Sequence, residues 1–220
     1  MKYTNENGRS MVEMLGVLAI IGVLSVGGIA GYSKAMNKFK INKTTDQVSM
    51  LIANLRTIFS AQGDYAGLGN EQAVKFGVVP DEMYSTCTTG NCKITNAFGG
   101  AVKIAASALR DASAATDKGA FLVSYDGLSQ EACVTLATGD WGSNEASGLV
   151  AVMASGAGVE AAATAMDAVT LTSTIAANSP VARPGDTNSP APMAVANAVT
   201  GCGSAAENAS ANGTVTWKYY

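Results

Sequence analysis

The chain has 220 residues, a net charge of −3, 48% apolar residues and only 14% charged ones, against roughly 25% charged in an average soluble protein. A disordered chain is excluded, because such chains are charge-rich and apolar-poor. Nucleic acid is a poor partner, because its phosphates need clustered Lys and Arg. There is no histidine, which removes Ser-His and Cys-His nucleophiles, His-bearing zinc sites and the usual general base near neutral pH. No Asp/Glu pair is spaced for glycosidase chemistry, so no catalytic residue, metal or cofactor is expected.

From Met14 to Ala30 seventeen residues carry no charge. In a helix they span about 26 Å, the short end of a membrane crossing. Alone, this run fits a cleaved secretory signal with Lys2 and Arg9 ahead of it and Ala30 at the cut. Two features point elsewhere. Glu13 stands one residue before the run, where an ionised carboxylate is costly in lipid unless paired. The apolar pattern also continues through Phe39, Val48, Ile52, Leu55 and Phe59, with steps of 4, 3 and 4 from Val48 that mark one helix face. No proline interrupts Arg9 to Gln62, and Gly63-Asp64 is a stop signal. The spacing predicts one helix of 54 residues, about 80 Å long, apolar all round in its first half and on one face in its second.

Gly8 before Arg9, with Glu13 five places after the glycine and an uncharged helix following, resembles the class III signal of type IV prepilins. The resemblance implies cleavage after Gly8 by a prepilin peptidase, N-methylation of Arg9, and neutralisation of the Arg9 amine by Glu13 of an earlier-added subunit, which fixes register. The first mature residue in the family is usually Phe or Met; here it is Arg9, which adds a second positive charge beside the amine. Lys34, Lys38, Lys40 and Lys43 follow the span, against Lys2 and Arg9 before it. The positive-inside rule therefore favours the orientation opposite to the one the processing motif implies, and the motif takes precedence. Gly16, Gly22, Gly27, Gly28 and Gly31 each cost a helix about 0.5–1 kcal/mol relative to Ala. Gly22, Gly27, Gly28 and Gly31 are expected to let this stretch unwind when it leaves lipid for a filament core, similar to what pilin filaments show.

Residues 63–100 read as a connecting region with a short helical piece near Glu71–Phe76. Cys87-Thr-Thr-Gly-Asn-Cys92 reads as a turn closed by a small disulfide, since zinc would need more ligands and a thioredoxin-type pair a two-residue spacing. Ala120–Tyr125 reads as a buried strand turned by Asp126-Gly127, with Ser129 capping a helix over Gln130–Ala137. Leu149–Met153 and the alternating Thr214–Tyr219 read as further strands. Gly156-Ala-Gly158-Val-Glu-Ala161 fits a dinucleotide fingerprint only superficially, because no acid follows at about 20 residues; it reads as a flexible turn. The stretch Phe121–Thr138, with YDGLSQEACVTL, is similar to type IVb pilins of the toxin-coregulated and conjugative thin-pilus kinds. The resemblance implies that Cys133 pairs with Cys202 across 68 residues.

The expected fold is α+β: a long N-terminal helix packed on an antiparallel sheet, with a disulfide-closed C-terminal region. The expected organisation is a leader over 1–8, a membrane and filament-core segment over 9–31, an amphipathic segment over 32–62 and a globular head over 63–220. The expected role is a structural subunit, a major pilin, held in the inner membrane as a precursor and then in an extracellular pilus for attachment, aggregation or cell–cell contact. Its implied partners are itself as a helical homopolymer, the prepilin peptidase, the assembly platform and a motor ATPase. A type II secretion pseudopilin, and an exported binding domain with an ordinary signal peptide, are the alternatives.

Overall fold

The computed structural model describes residues 11–203 and 213–220 and divides the chain into two compact units, Met1–Phe39 and Lys40–Tyr220. Helix α1 covers Met11–Phe59. It stops three residues short of the predicted Gln62, where the backbone closes a turn from Gln62 N to Phe59 O (3.0 Å) and Gly63 takes φ +74°.

In the first unit α1 buries no residue, and Met11, Leu15, Val23, Leu24, Val26 and Ile29 are among its exposed apolar side chains. Its helix is unbroken through Gly16, Gly22, Gly27, Gly28 and Gly31, and a Cβ at any of the five would meet open space. The chain's own packing therefore requires glycine at none of them.

In the second unit α1 presents Ile41, Val48, Leu51, Ile52, Leu55 and Phe59 to the core, the face that the steps of three and four predicted. The remaining elements are α2 (Asn70–Lys75), β1 (Tyr84–Thr88), β2 (Asn91–Thr95), β3 (Ala101–Ser107), β4 (Ala120–Leu128), α3 (Gln130–Ala137), β5 (Leu149–Ser155), α4 (Val159–Asp167), β6 (Val181–Ala182), α5 (Val195–Cys202) and β7 (Gly213–Tyr219). Among the described residues the strands form one antiparallel sheet in the order β1-β2-β3-β4-β7-β5-β6. The last strand in sequence is thus an inner one, paired to β4 on one side and β5 on the other.

The sheet is covered on both faces. Phe121, Val123 and Tyr125 of β4, Val152 and Ala154 of β5, and Val215, Trp217 and Tyr219 of β7 join the α1 core, which α3 and α5 extend through Cys133, Leu136, Ala198 and Cys202. On the other face Ala151 and Met153 pack on Ala162 and Met166 of α4. All of β7 is buried, so its alternation does not separate a dry face from a wet one. Its polar residues are satisfied beneath α4: the Ser124 and Thr216 hydroxyls pair across the β4–β7 ladder, and the Thr214 hydroxyl donates to the Ala157 carbonyl.

Three readings of the sequence need correction. Residues 63–100 are more than a connection, since the Cys87–Cys92 turn is the end of a β1–β2 hairpin. Asp126-Gly127 does not end β4; it is a ladder irregularity between Tyr125 and Leu128. There Gly127 has φ +70°, and a Cβ on Gly100 would lie 1.9 Å from the Asp126 carbonyl oxygen, so the two backbones cross where only glycine fits. The Gly156–Ala161 stretch is an ordered strand-to-helix connection leading into α4. Cys202 lies on a helix, α5.

Candidate assembly helix and disulfide-closed head

Gly8 and Arg9, the expected cleavage and methylation positions, lie outside the described residues. Glu13 is in the first turn of α1, where a carboxylate complements the positive end of the helix dipole. Its side chain is exposed. No other charge occurs on α1 before Lys34, and the helix is long and apolar enough to cross a membrane. Gly22, Gly27, Gly28 and Gly31 lie in this uncharged stretch.

In the head, Ser129 takes the N-cap position of α3, its hydroxyl accepting from Ala132 N at 3.3 Å. That cap aims Cys133 at α5, and the Cys133–Cys202 disulfide joins the two helices with Cα atoms 6.0 Å apart and 69 residues of sequence separation. Both cysteines are buried. Gly213, which opens β7, runs so close that a Cβ there would be 2.6 Å from Cys133 Cβ. The bridge therefore sits at the entrance of the inner strand. The second disulfide, Cys87–Cys92, joins paired positions of the β1–β2 hairpin. Its turn is held to α2, because the Glu71 carboxylate accepts from Gly90 N at 3.0 Å and from Lys75 Nζ at 2.6 Å.

The acids that look scattered in sequence mostly hold backbone. Asp117 accepts from Leu109 N, Arg110 N, Asp111 N and Gly119 N, which keeps its carboxyl far below the usual range. Asp126 accepts from Ala101 N at 2.5 Å and from Val159 N at 3.5 Å. The N-terminus of α4 thus already has an anion of this chain. With that and the antiparallel neighbours of β5, the glycine motif has no dinucleotide geometry.

Lys218 is the feature that no sequence signal marked. It is fully buried on β7, and its Nζ donates to the carbonyls of Met166 (3.3 Å), Asp167 (3.1 Å) and Val169 (2.5 Å). A cation thus caps the negative end of α4. Burial pushes the Lys218 ammonium down to about 8, against the attraction of Asp167 and Asp117. Burial also works to raise Asp167, but hydrogen bonds from Ser107 Oγ (2.6 Å) and Ala108 N (3.1 Å), with the charge of Lys218, hold it below the usual carboxylate range.

The depressed value fixes a sign. Between pH 8 and 10.5 the unfolded chain binds more protons at Lys218 than the folded one, so folding stability rises with pH. Above pH 10 burial keeps Tyr125 and Tyr219 neutral in the fold while unfolded tyrosines ionise, and stability falls. Urea titrations are expected to show a rise from pH 8 to 9.5 that disappears in Lys218→Met. A flat wild-type profile would contradict the assignment.

Among the described residues no group of three His, Cys, Asp or Glu side chains is placed to hold a metal ion. A cleft of about 170 Å³ beside α4 is lined by Lys103, Ala105, Ala163, Thr164 and Asp167, and the Asp167 carboxylate there is engaged by Ser107 Oγ and Ala108 N.

A profile of the family described as PilS N terminal matches residues 38–218. The chain belongs to this family. It is 29% identical over 133 residues, 60% of this chain, to the major structural subunit of bundle-forming pilus of Escherichia coli O127:H6. It is 27% identical over 137 residues, 62% of this chain, to the toxin coregulated pilin of Vibrio cholerae. The chain spans 64% and 59% of the lengths of these two relatives. The crystal structure of TcpA, a type IV pilin from Vibrio cholerae El Tor biotype, superposes with a TM-score of 0.52 at 19% identity, covering 82% of this chain and 99% of that one. The fold is therefore the type IV pilin fold: a long N-terminal helix, an antiparallel sheet and a disulfide-closed C-terminal region.

Proposed function

We propose that the chain is a major structural subunit of a type IV pilus. Residues 9–31 hold the precursor in the inner membrane, the prepilin peptidase cuts after Gly8, and Arg9 is N-methylated. An assembly platform and motor ATPase then move the subunit into an extracellular helical homopolymer. Residues 9–31 form the filament core, the amphipathic segment 32–62 carries the head, and 63–220 form the outer surface. Glu13 of one subunit neutralises the Arg9 amine of its neighbour, which would otherwise be an unpaired charge in an apolar bundle. Unwinding over Gly22–Gly31 adjusts the core helix as it leaves lipid.

The observation that carries this reading is the first half of α1. It is apolar and exposed, has Glu13 as the sole charge before Lys34, and belongs to a chain of pilin fold. Such a surface requires lipid or other copies of itself. Deleting the encoding gene is expected to remove filaments seen by electron microscopy, and restoring it to return filaments that an antibody to the head decorates along their length. Filaments that persist after deletion, or remain undecorated, would contradict the proposal.

A further inference from the structure

Lys34 and Lys38 stand on the side of the span where the positive-inside rule disfavours cations, so their presence needs a compensating contact. Both are exposed, and among the described residues neither forms an ion pair. The next lysines along the helix are engaged: Lys40 lies over the Phe98 ring at 5.7 Å, and Lys43 pairs with Glu82 at 3.0 Å. No acid follows Glu13 until Asp46. Lys34 and Lys38 are four residues apart and share a helix face. Tyr32 and Phe39, seven apart on a second face, are 68% and 60% exposed.

Position supplies the partner. Glu13 and Lys34 are separated by about 30 Å of helix, which is the thickness of a bilayer's hydrocarbon core. The four side chains therefore fall at the level where aromatic belts and lysine headgroup contacts form. We infer that Tyr32, Lys34, Lys38 and Phe39 form a collar that binds the anionic headgroups of phospholipids at the C-terminal boundary of the span. This rests on the membrane reading above. The collar retains the subunit in the bilayer until extraction, and it explains why cations are tolerated there.

The test uses the full chain reconstituted in phosphatidylcholine vesicles, with or without phosphatidylglycerol. Resistance to alkaline carbonate reports insertion. Native mass spectrometry of the lipids that remain bound after detergent extraction reports headgroup preference. The wild type is expected to stay inserted and to retain phosphatidylglycerol over phosphatidylcholine by roughly thirtyfold, from two lysines at about 1 kcal/mol each. The preference is expected to vanish in Lys34→Gln/Lys38→Gln and in high salt, while the remote Lys93→Gln keeps it. An inserted wild type that holds both lipids equally, or a double variant that keeps the preference, overturns the collar alone. Release of the wild type by carbonate overturns the membrane reading and the collar together.

Discussion

Glu13→Ala is expected to leave cleavage after Gly8 intact and to abolish normal filaments. The peptidase acts on the leader junction, four residues before Glu13 counted from Arg9, and nothing in that step needs the carboxylate. Assembly does. Once the leader is gone, each subunit brings the amine and guanidinium of Arg9 into a bundle of apolar helices. Leaving such a charge unpaired there costs several kcal/mol for every subunit added. The exposed position of Glu13, ahead of a stretch without any other charge, makes it the one carboxylate available to that bundle on this helix segment. The measurement is a sheared-filament yield beside an immunoblot of processed pilin. Processed subunit without filaments supports the pairing, and abundant ordinary filaments would sink it. Glu13→Gln keeps size and polarity, so it separates charge from shape and is expected to assemble poorly as well.

The second large effect falls on the head. Cys133→Ser should cost about 4 kcal/mol, from the loop-closure entropy of a 69-residue separation. That is a large part of the 5–15 kcal/mol that holds a typical domain folded. At this chain length it corresponds to roughly 8–16 °C in melting temperature. The location amplifies the consequence. The bridge holds α3 against α5 beside Gly213, where β7 enters the middle of the sheet. Loosening it frees the strand that joins β4 to β5. Cys87→Ser opens a loop of separation only 5 residues, for which the same model gives about 2 kcal/mol, and that loop lies at the β1–β2 edge of the sheet. Thermal melts and protease sensitivity should therefore rank Cys133→Ser well below Cys87→Ser. Wild-type stability of Cys133→Ser would contradict the role given to the bridge.

What was legible in the sequence had a local cause. The apolar face of α1, the Ser129 cap and the Gln130–Ala137 helix follow from periodicity and capping, and the cores of β4, β5 and β7 from their apolar or alternating runs. What escaped depends on contacts distant in sequence. Helix α4 buries Ala162, Ala163 and Met166 at helical spacing, but two of the three are alanines, so its apolar stripe is faint in the sequence. Its reason for existing is the polar side of β7, which looks solvent-facing until Thr214, Thr216 and Lys218 are found buried beneath it. Asp126-Gly127 has the composition of a turn, and only the crossing with Gly100 shows why it stays in a strand. The positions proposed for assembly rest on a local spacing, that of Gly8, Arg9 and Glu13, and the partner proposed for them is another copy of the chain.

The most direct test of the central claim is the intact mass of the subunit sheared from its own cells, measured without reduction. The expected mass is that of a chain beginning at Arg9, with or without one methyl group on its amine and lighter by two hydrogens for each of the two disulfides. A chain beginning near Gly31 would contradict it, because a mature protein lacking Glu13 and the uncharged half of α1 has no helix with which to build a filament core.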